Sequence, residues 1–288
     1  MKRQKVAPNL LRLTWLACLW IGTGTIPCSA QGNPPSQDSS AKSTEGQKRV
    51  KSHDSVTVTA NFTPEELEEG KINDVYQPVR MLEEKGDCDT AVQKYKSEVI
   101  PLADTSKFNI PKNKFLFLAN RGIGNCYIAQ HRYEEAEQIF LKIMDYLPVW
   151  PGIDDSDYPI NFRQIATAQM GQQHWQAAEE SLKESVALFD PQIEKALKSE
   201  YEFSRTEHAG NLRGSKARSL AYLGIVYMRE GRTPEALQTV DLAYEQAKEP
   251  HVPVTLLNET IKIGSMIAQA SNDKDAISKW SQRSPNPK

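Results

Sequence analysis

Five alanine residues recur at long, similar intervals, and this regularity constrains the fold more than any other feature. They are Ala91, Ala136, Ala178, Ala236 and Ala276, separated by 45, 42, 58 and 40 residues. Each lies near the start of an amphipathic segment that follows a short polar turn and another amphipathic segment. Because one such unit cannot bury its apolar face alone, copies at this distance predict a stack of helix pairs, a solenoid.

Residues 118–148 show the repeated unit most clearly. Their sequence is LANRGIGNCYIAQHRYEEAEQIFLKIMDYLP, in which apolar residues recur at the three- and four-residue spacing of a helix. A polar stretch at 130–132 separates the two segments. Small residues, Gly124 and Ala136, lie where two helices would cross. The stretch is therefore predicted to form two antiparallel helices joined by a tight turn.

The same organisation predicts five helix pairs and almost no β structure. The pairs cover 73–100, 118–148, 159–189, 216–248 and 254–280, with turns at 85–87, 130–132, 172–174, 230–232 and 271–273. Ahead of them, Thr63, Pro64 and Glu66 predict a capped helix start, and Gly70 is expected to end that short helix. In the fourth pair, Thr233 is expected to cap the second helix, with a proline in its first turn.

A pattern of large and small residues repeats within the pairs. In the second pair, Gly124 and Tyr127 are followed by Tyr133, Ala136 and Phe140. The corresponding residues are Gly224, Tyr227, Ala236 and Val240 in the fourth pair; Gly264, Ile267, Ala276 and Trp280 in the fifth; Ala166, Gln169, Trp175, Ala178 and Leu182 in the third; and Val79, Leu82, Cys88, Ala91 and Tyr95 in the first. The pattern resembles that of tetratricopeptide (TPR) repeats over about residues 73–280. The resemblance implies an all-α fold, a right-handed solenoid of about five antiparallel helix pairs.

The intervals are longer than the usual TPR period of about 34 residues. Longer helices or loops account for intervals of 40 to 45 residues, whereas the interval of 58 needs an insertion. Residues 191–214 are charged and mostly helix-forming. We expect them to extend the second helix of the third pair or to form an extra helix. Residues 149–158 are expected to form an irregular loop.

The first thirty residues have the layout of a secretory signal peptide. Four basic residues precede an uncharged apolar run at 13–26, and small residues precede a cleavage site at Gln31. The run is short for a membrane-spanning helix, which needs about 20 residues. We therefore predict cleavage of 1–30 and export to the periplasm or the medium, without membrane insertion of the mature chain. An uncleaved membrane anchor and a lipoprotein are the alternatives.

The segments that flank the repeats are poor in core-forming residues. Residues 31–60 are rich in Ser, Gln, Lys and Pro, which predicts a disordered linker, and 281–288 are expected to form a disordered tail. The repeat domain is thus expected to cover 61–280. The net charge is −2, and it becomes 31 − 37 = −6 once four basic residues leave with the signal peptide. This acidic balance, without a basic block, argues against a nucleic-acid partner.

No catalytic, cofactor-binding or metal-binding site is predicted. The five histidines have no His or Cys three or four residues away, so metal-ligand spacing is absent. The sequence contains no GxSxG, GxxxxGK[ST] or HExxH motif. An acidic cluster at 154–157 lacks the spacing of a calcium-binding EF-hand loop and is interpreted as a solvated turn. We therefore expect a protein that is not an enzyme and has no cofactor.

Cys88 and Cys126 are the two cysteines that remain after removal of the predicted signal peptide. They lie in neighbouring pairs, which stack in a solenoid. In an oxidising compartment a disulfide between them is one interpretation. Two buried free thiols are the other.

The TPR resemblance also implies a binding surface. In that family the first helices of the pairs line a concave groove that receives an extended peptide or a partner helix. The corresponding groove residues are Tyr76, Arg80, Arg121, Asn125, Arg163, Thr167, Met170, Arg218, Ile225 and Met228. Four are arginines, whose guanidinium groups suit carboxylates, so an acidic or C-terminal peptide segment is the expected ligand. The carboxylate clamp of some TPR co-chaperones matches poorly, because Gln164 and Tyr222 stand where that clamp has asparagine and a cation.

The sequence therefore predicts a non-catalytic protein–protein interaction scaffold or adaptor of the cell envelope, which binds a peptide or protein partner in its groove. The alternative is an accessory domain that binds a small molecule or a cell-wall fragment. The identity of the partner and the oligomeric state are left open.

Overall fold

The computed structural model of the chain describes residues 62–144 and 156–283, and these ranges contain helices and no strand. The helices are α1 (Pro64–Glu84), α2 (Cys88–Lys94), α3 (Ile100–Asp104), α4 (Asn109–Ala129), α5 (Tyr133–Ile143), α6 (Asp157–Gly171), α7 (Trp175–Leu197), α8 (Ala209–Arg229), α9 (Thr233–Ala247), α10 (Val254–Ser271) and α11 (Lys274–Ser281). The predicted signal peptide, the linker at 31–60 and most of the loop at 149–158 lie outside the described residues.

The predicted helix pairs are confirmed. α1 packs with α2, α4 with α5, α6 with α7, α8 with α9 and α10 with α11. A π-helical turn (Tyr95–Val99) continues α2 into α3. Each second helix also contacts the first helix of the next pair. The described residues are therefore an all-α stack of pairs, and the right-handed sense of the solenoid stays a prediction.

Each pair turns through one residue in the left-handed backbone conformation. The middle turn residues have φ angles of +82° at Gly86, +60° at His131, +63° at Gln173, +79° at Gly231 and +56° at Asn272. A left-handed residue after a helix lets the following amides bond back to the last carbonyls of that helix. In the second turn, the backbone N–H of Arg132 donates to the carbonyl of Tyr127 at 2.8 Å. The five predicted turn positions are thereby confirmed.

Small residues lie where paired helices cross, as predicted. A Cβ atom on Gly124 would lie only 2.6 Å from Cζ of Phe140, and one on Gly264 would overlap the indole ring of Trp280. The alanines at 91, 136, 178 and 236 are fully buried, and Ala276 is half-buried. These small residues let the two backbones approach. The space beside the glycine is filled by a ring in the second and fifth pairs and by Val240 in the fourth.

The core is continuous in the first half of the described chain and divided in the second. One cluster of buried side chains extends from α1 to α6 and includes the rings of Tyr95, Phe115 and Phe140. The second half holds several smaller clusters, of which the largest includes Leu182 and Trp280. All of these residues pack between helices.

The prediction that Gly70 ends the first helix is wrong. α1 runs through this glycine without interruption. A glycine inside a helix costs about 1 kcal/mol relative to alanine. Burial of Ile72, Tyr76 and Val79 on the next two turns outweighs that cost.

Of the two predicted helix caps, one is confirmed and one is wrong. The side chain of Thr63 accepts a hydrogen bond from the N–H of Glu66, and the Glu66 carboxylate accepts one from the N–H of Thr63. In the fourth pair, Thr233 is instead the first residue of α9, and Arg232 occupies the cap position. The turn causes this shift, because the N–H of Arg232 already bonds to the carbonyl of Tyr227 at 2.8 Å.

Longer helices fill the interval of 58 residues. α7 continues through Pro191 to its end at Leu197, so the expected extension of this helix is confirmed. A π-helical turn (Ser204–His208) then leads into α8, which begins seven residues before the predicted position 216. Gly210 lets the start of α8 approach His251, whose carbonyl carbon would lie 2.5 Å from an added Cβ.

Candidate interaction groove

The first helices of the pairs form a row. α1 contacts α4, α4 contacts α6, α6 contacts α8 and α8 contacts α10. The predicted groove residues lie on four of these helices: Tyr76 and Arg80 on α1, Arg121 and Asn125 on α4, Arg163, Thr167 and Met170 on α6, and Arg218, Ile225 and Met228 on α8. The structure therefore distributes the predicted set along consecutive helices of one row.

Three of the ten groove residues are buried. Tyr76, Arg163 and Ile225 expose 7%, 7% and 5% of their surface, whereas the other seven are half-buried. The ring of Tyr76 packs against Tyr95 and Phe115, with centroids 6.1 and 5.6 Å apart, and this burial raises the pKa of its hydroxyl. Tyr76 and Ile225 are thus core residues, and the half-buried residues form the accessible part of the set.

Two groove arginines of the first half already bind carboxylates. Nε of Arg80 lies 2.9 Å from Oε1 of Glu84, one turn further along α1. Nη1 of Arg121 lies 3.1 Å from Oδ1 of Asp157, and its guanidinium lies 4.9 Å from the ring centroid of Phe117. Because Asp157 begins α6, the second of these ion pairs joins α4 to its neighbour in the row.

A chain of amide and carboxylate groups crosses the row from α1 to α6. Nδ2 of Asn125 donates to Oε1 of Glu83 at 3.1 Å, and Nε2 of Gln164 donates to Oδ1 of Asn125 at 2.9 Å. The hydroxyl of Tyr95 donates to the other oxygen of Glu83 at 2.8 Å. Both polar atoms of the Asn125 side chain are therefore engaged within the protein.

Glu259 fills a carboxylate site between α8 and α10. Its Oε2 accepts hydrogen bonds from Nε and Nη2 of Arg218 at 2.9 and 2.6 Å. Its Oε1 accepts one from the hydroxyl of Tyr222 at 3.3 Å. Burial, together with the negative charge of Glu259, raises the pKa of Tyr222 to about 12, so this phenol keeps its proton at neutral pH. A guanidinium with an adjacent hydroxyl is a geometry that recognises carboxylates.

Arg163 links α6 to α8. Its Nη1 donates to the backbone carbonyl of Ser215 at 3.2 Å, and its own carbonyl accepts a hydrogen bond from the Thr167 hydroxyl at 2.8 Å. A buried guanidinium needs such partners, because removing it from water is costly. Arg163 therefore serves the contact between two first helices.

We call the side chains that bridge the first helices the groove ladder: Glu83, Arg121, Asn125, Asp157, Arg163, Gln164, Arg218, Tyr222 and Glu259. The sequence indicated the arginines and Asn125 but not their carboxylate partners, which lie 42, 36 and 41 residues away along the chain. A signal for two of them was that Asp157 and Glu259 are the single acidic residues of α6 and α10, whereas α1 carries several besides Glu83. The two clamp positions are occupied internally, since Gln164 bonds to Asn125 and Tyr222 bonds to Glu259.

A second set of arginines lies at the turns. The guanidinium carbon of Arg132 lies 4.0 Å from the ring centroid of Tyr127, and that of Arg232 lies 4.1 Å from the centroid of Tyr227. Arg232 also reaches the preceding pair, where its Nη1 lies 2.8 Å from Oε2 of Glu179. We call Arg132 and Arg232 the turn arginines. They cover a tyrosine of their own pair and stand apart from the groove ladder.

Other kinds of site find no support in the part of the chain that the structure describes. Residues 62–144 and 156–283 contain no group of three or more His, Cys, Asp or Glu placed to hold a metal ion. From the acidic cluster, Asp157 is paired with Arg121, and Asp154 and Asp155 lie outside the described residues. Among the described helices, none combines the length and the apolar character needed to cross a lipid bilayer.

Comparison with known proteins finds similarity in structure only. No protein-family model matches the chain, and no curated protein matches its sequence. A point variant of the kinesin light chain TPR-like repeats of Podosopora anserina aligns with a TM-score of 0.52 and 17% identity, over 74% of this chain and 92% of that chain. BtubC (BKLC) from P. vanneervenii aligns with a TM-score of 0.53 and 13% identity, over 79% of this chain and 96% of that chain. The chain therefore has a TPR-like repeat fold.

Proposed function

We propose that this protein is a non-catalytic interaction scaffold that holds a peptide segment of a partner protein along the row of first helices. The observation that carries the proposal is the groove ladder. It places paired donors and acceptors at each contact between neighbouring first helices, and all of its residues except the buried Arg163 are half-buried. A solenoid of this kind offers an extended surface, and its TPR-like fold supports such a role.

The proposed ligand is an acidic or C-terminal peptide segment. Arg121 and Arg218 expose 33% and 32% of their side chains, and their partners Asp157 and Glu259 expose 15% and 20%. Part-exposed ion pairs contribute roughly 0–1 kcal/mol each. A peptide carboxylate can therefore take the place of Asp157 or Glu259 at small cost, and the guanidinium keeps a charged partner throughout.

Co-purification with the tagged full chain, followed by titration of the purified partner, tests the scaffold function. We expect a protein retained in stoichiometric amount. Arg121→Ala with Arg218→Ala should weaken its affinity by about tenfold or more, because hydrogen bonds to charged groups contribute about 1.5–3 kcal/mol. Arg205→Ala, on the exposed segment between α7 and α8, is the matched control and should leave the affinity unchanged. Unchanged affinity in the double variant excludes the groove, and a retained small molecule in place of a protein supports the alternative accessory domain.

We also propose that the scaffold acts in the cell envelope or outside the cell. This part rests on the predicted signal peptide at 1–30. N-terminal sequencing of the protein from separated cell fractions tests it. A mature chain that begins at Gln31 in the periplasmic or medium fraction is expected. A full-length chain in the cytosolic fraction contradicts export.

A further inference from the structure

Cys88 and Cys126 lie side by side between the first two helix pairs. Cys88 is the first residue of α2, and Cys126 lies on α4, which packs against α2. The two thiols are close enough to interact and belong to one cluster of buried side chains, and the structure holds both as free thiols. They expose 8% and 1% of their surface. No further cysteine occurs between residues 29 and 288, so no other thiol of the repeats competes for either partner.

We propose that Cys88 and Cys126 are a cross-linking site, and that they form an intrachain disulfide when the chain folds in an oxidising compartment. Two thiols give one S–S bond and release two protons and two electrons. These reduce the disulfide of a thiol-oxidising protein to a dithiol. In the cell the reaction rests on the proposed export, because the cytosol keeps thiols reduced.

The geometry favours the bond. A disulfide requires the two Cβ atoms to lie within roughly 4.5 Å of each other. The two cysteines are neighbours in one buried cluster at the contact between α2 and α4, which is the placement that such a bond needs. The bond would close a loop of 126 − 88 = 38 residues, which restricts the unfolded chain and so stabilises the first two pairs.

Burial determines when the bond forms. It raises the pKa of both thiols, so the folded chain contains little of the thiolate that attacks a disulfide. The reaction therefore takes place during folding, before α2 closes on α4. The same burial then protects the finished disulfide from reductants.

Oxidative refolding of the full chain tests the proposal. The substitutions Cys18→Ala and Cys28→Ala leave only the two cysteines of the site. The reduced, denatured protein is refolded with oxidised glutathione, and its intact mass, alkylation and melting temperature are measured. We expect a monomer about 2 Da lighter that resists alkylation. Its Tm should be about 5 °C above that of the reduced form. The same reagent added to the folded, reduced protein should react roughly 100-fold more slowly.

Two results overturn the proposal: a refolded helical protein that keeps both thiols free, and one that carries glutathione in place of the internal bond. Cys88→Ala and Cys126→Ala, tested singly, are the controls, and neither should gain stability from the oxidant. The outcome is separable from the proposed function. A protein that cross-links on refolding but is isolated reduced from cells supports the site and contradicts only the export, and partner binding is measured independently.

Discussion

Helix α4 presents Gly124 on the side that faces its own pair, and Arg121 and Asn125 on an adjacent side, roughly a quarter of a turn away. The two sides make different kinds of contact. Gly124 packs against Phe140, a residue of the same pair, and the arrangement recurs in the fourth and fifth pairs. Arg121 binds Asp157 of the next pair, and Asn125 bridges to both neighbouring first helices. The packing side is thus determined within each repeat, and the polar side is determined between repeats. Substitutions on the first should change stability, and those on the second should change binding.

The same substitution at two helical glycines gives the largest expected contrast. Gly124→Ala places a Cβ atom 2.6 Å from the Phe140 ring, and such overpacking costs about 1–3 kcal/mol. Gly70→Ala meets no atom within 4 Å and removes the cost of a helical glycine. In thermal melts we expect Gly124→Ala to lower the Tm by about 5 °C and Gly70→Ala to raise it by about 2 °C. Equal effects of the two substitutions would show that the crossing is not tightly packed.

The difference between the two sides also explains what the sequence could predict. Turns and crossings depend on residues within one pair, so spacing alone placed Gly124, Phe140 and the five left-handed turn positions. The partners of the groove ladder come from other pairs, and no local spacing connects Arg218 with Glu259, 41 residues further along. The helix start at Thr233 was misplaced because a turn hydrogen bond, not side-chain capping, determines it.

The turn arginines contribute to packing, unlike the arginines of the groove. We expect a clear loss of stability when a turn arginine is replaced. Arg232→Ala removes the contact with the Tyr227 ring and one of the two cations, Arg232 and Lys183, that pair with the buried Glu179. Removing a charged partner from a buried carboxylate destabilises the folded protein. We expect the Tm at pH 7 to fall by about 3 °C, clearly more than for Arg121→Ala in the groove.

The pH dependence of the Tm is the control for Arg232→Ala. Burial alone would raise the pKa of Glu179, but hydrogen bonds from Lys183 and Arg232 outweigh it, and the pKa lies below its usual 4.5. A carboxylate with a lowered folded-state pKa stabilises the fold above the unfolded pKa, and this contribution is lost as the pH falls through the folded value. The Tm gap between the wild type and Arg232→Ala should therefore narrow below about pH 4.5. A gap that stays constant down to pH 3 would assign the effect to the Tyr227 contact instead.

Substitutions at the left-handed turns test the contacts within a pair, with a smaller expected change in Tm. Gln173 adopts φ +63° with a side chain, whereas Gly231 adopts φ +79° without one at the same position of its turn. The left-handed conformation costs a residue with a Cβ atom about 1 kcal/mol. Gln173→Gly is expected to raise the Tm by about 2 °C and Gly231→Ala to lower it by a similar amount. If both substitutions lower the Tm, side-chain contacts outweigh backbone strain at these turns.

The groove should respond least in stability and most in binding. Arg218→Ala and Glu259→Gln each break a part-exposed ion pair, so we expect the Tm to fall by about 1 °C or less in either variant. With a confirmed acidic peptide, the two should act in opposite directions. Arg218→Ala removes the group that binds the peptide carboxylate, whereas Glu259→Gln removes its internal competitor and should raise the affinity several-fold. If both variants weaken binding equally, Glu259 supports the shape of the groove instead of occupying the ligand's place. Removing a competitor raises the affinity for the peptide, whereas removing a supporting residue lowers it.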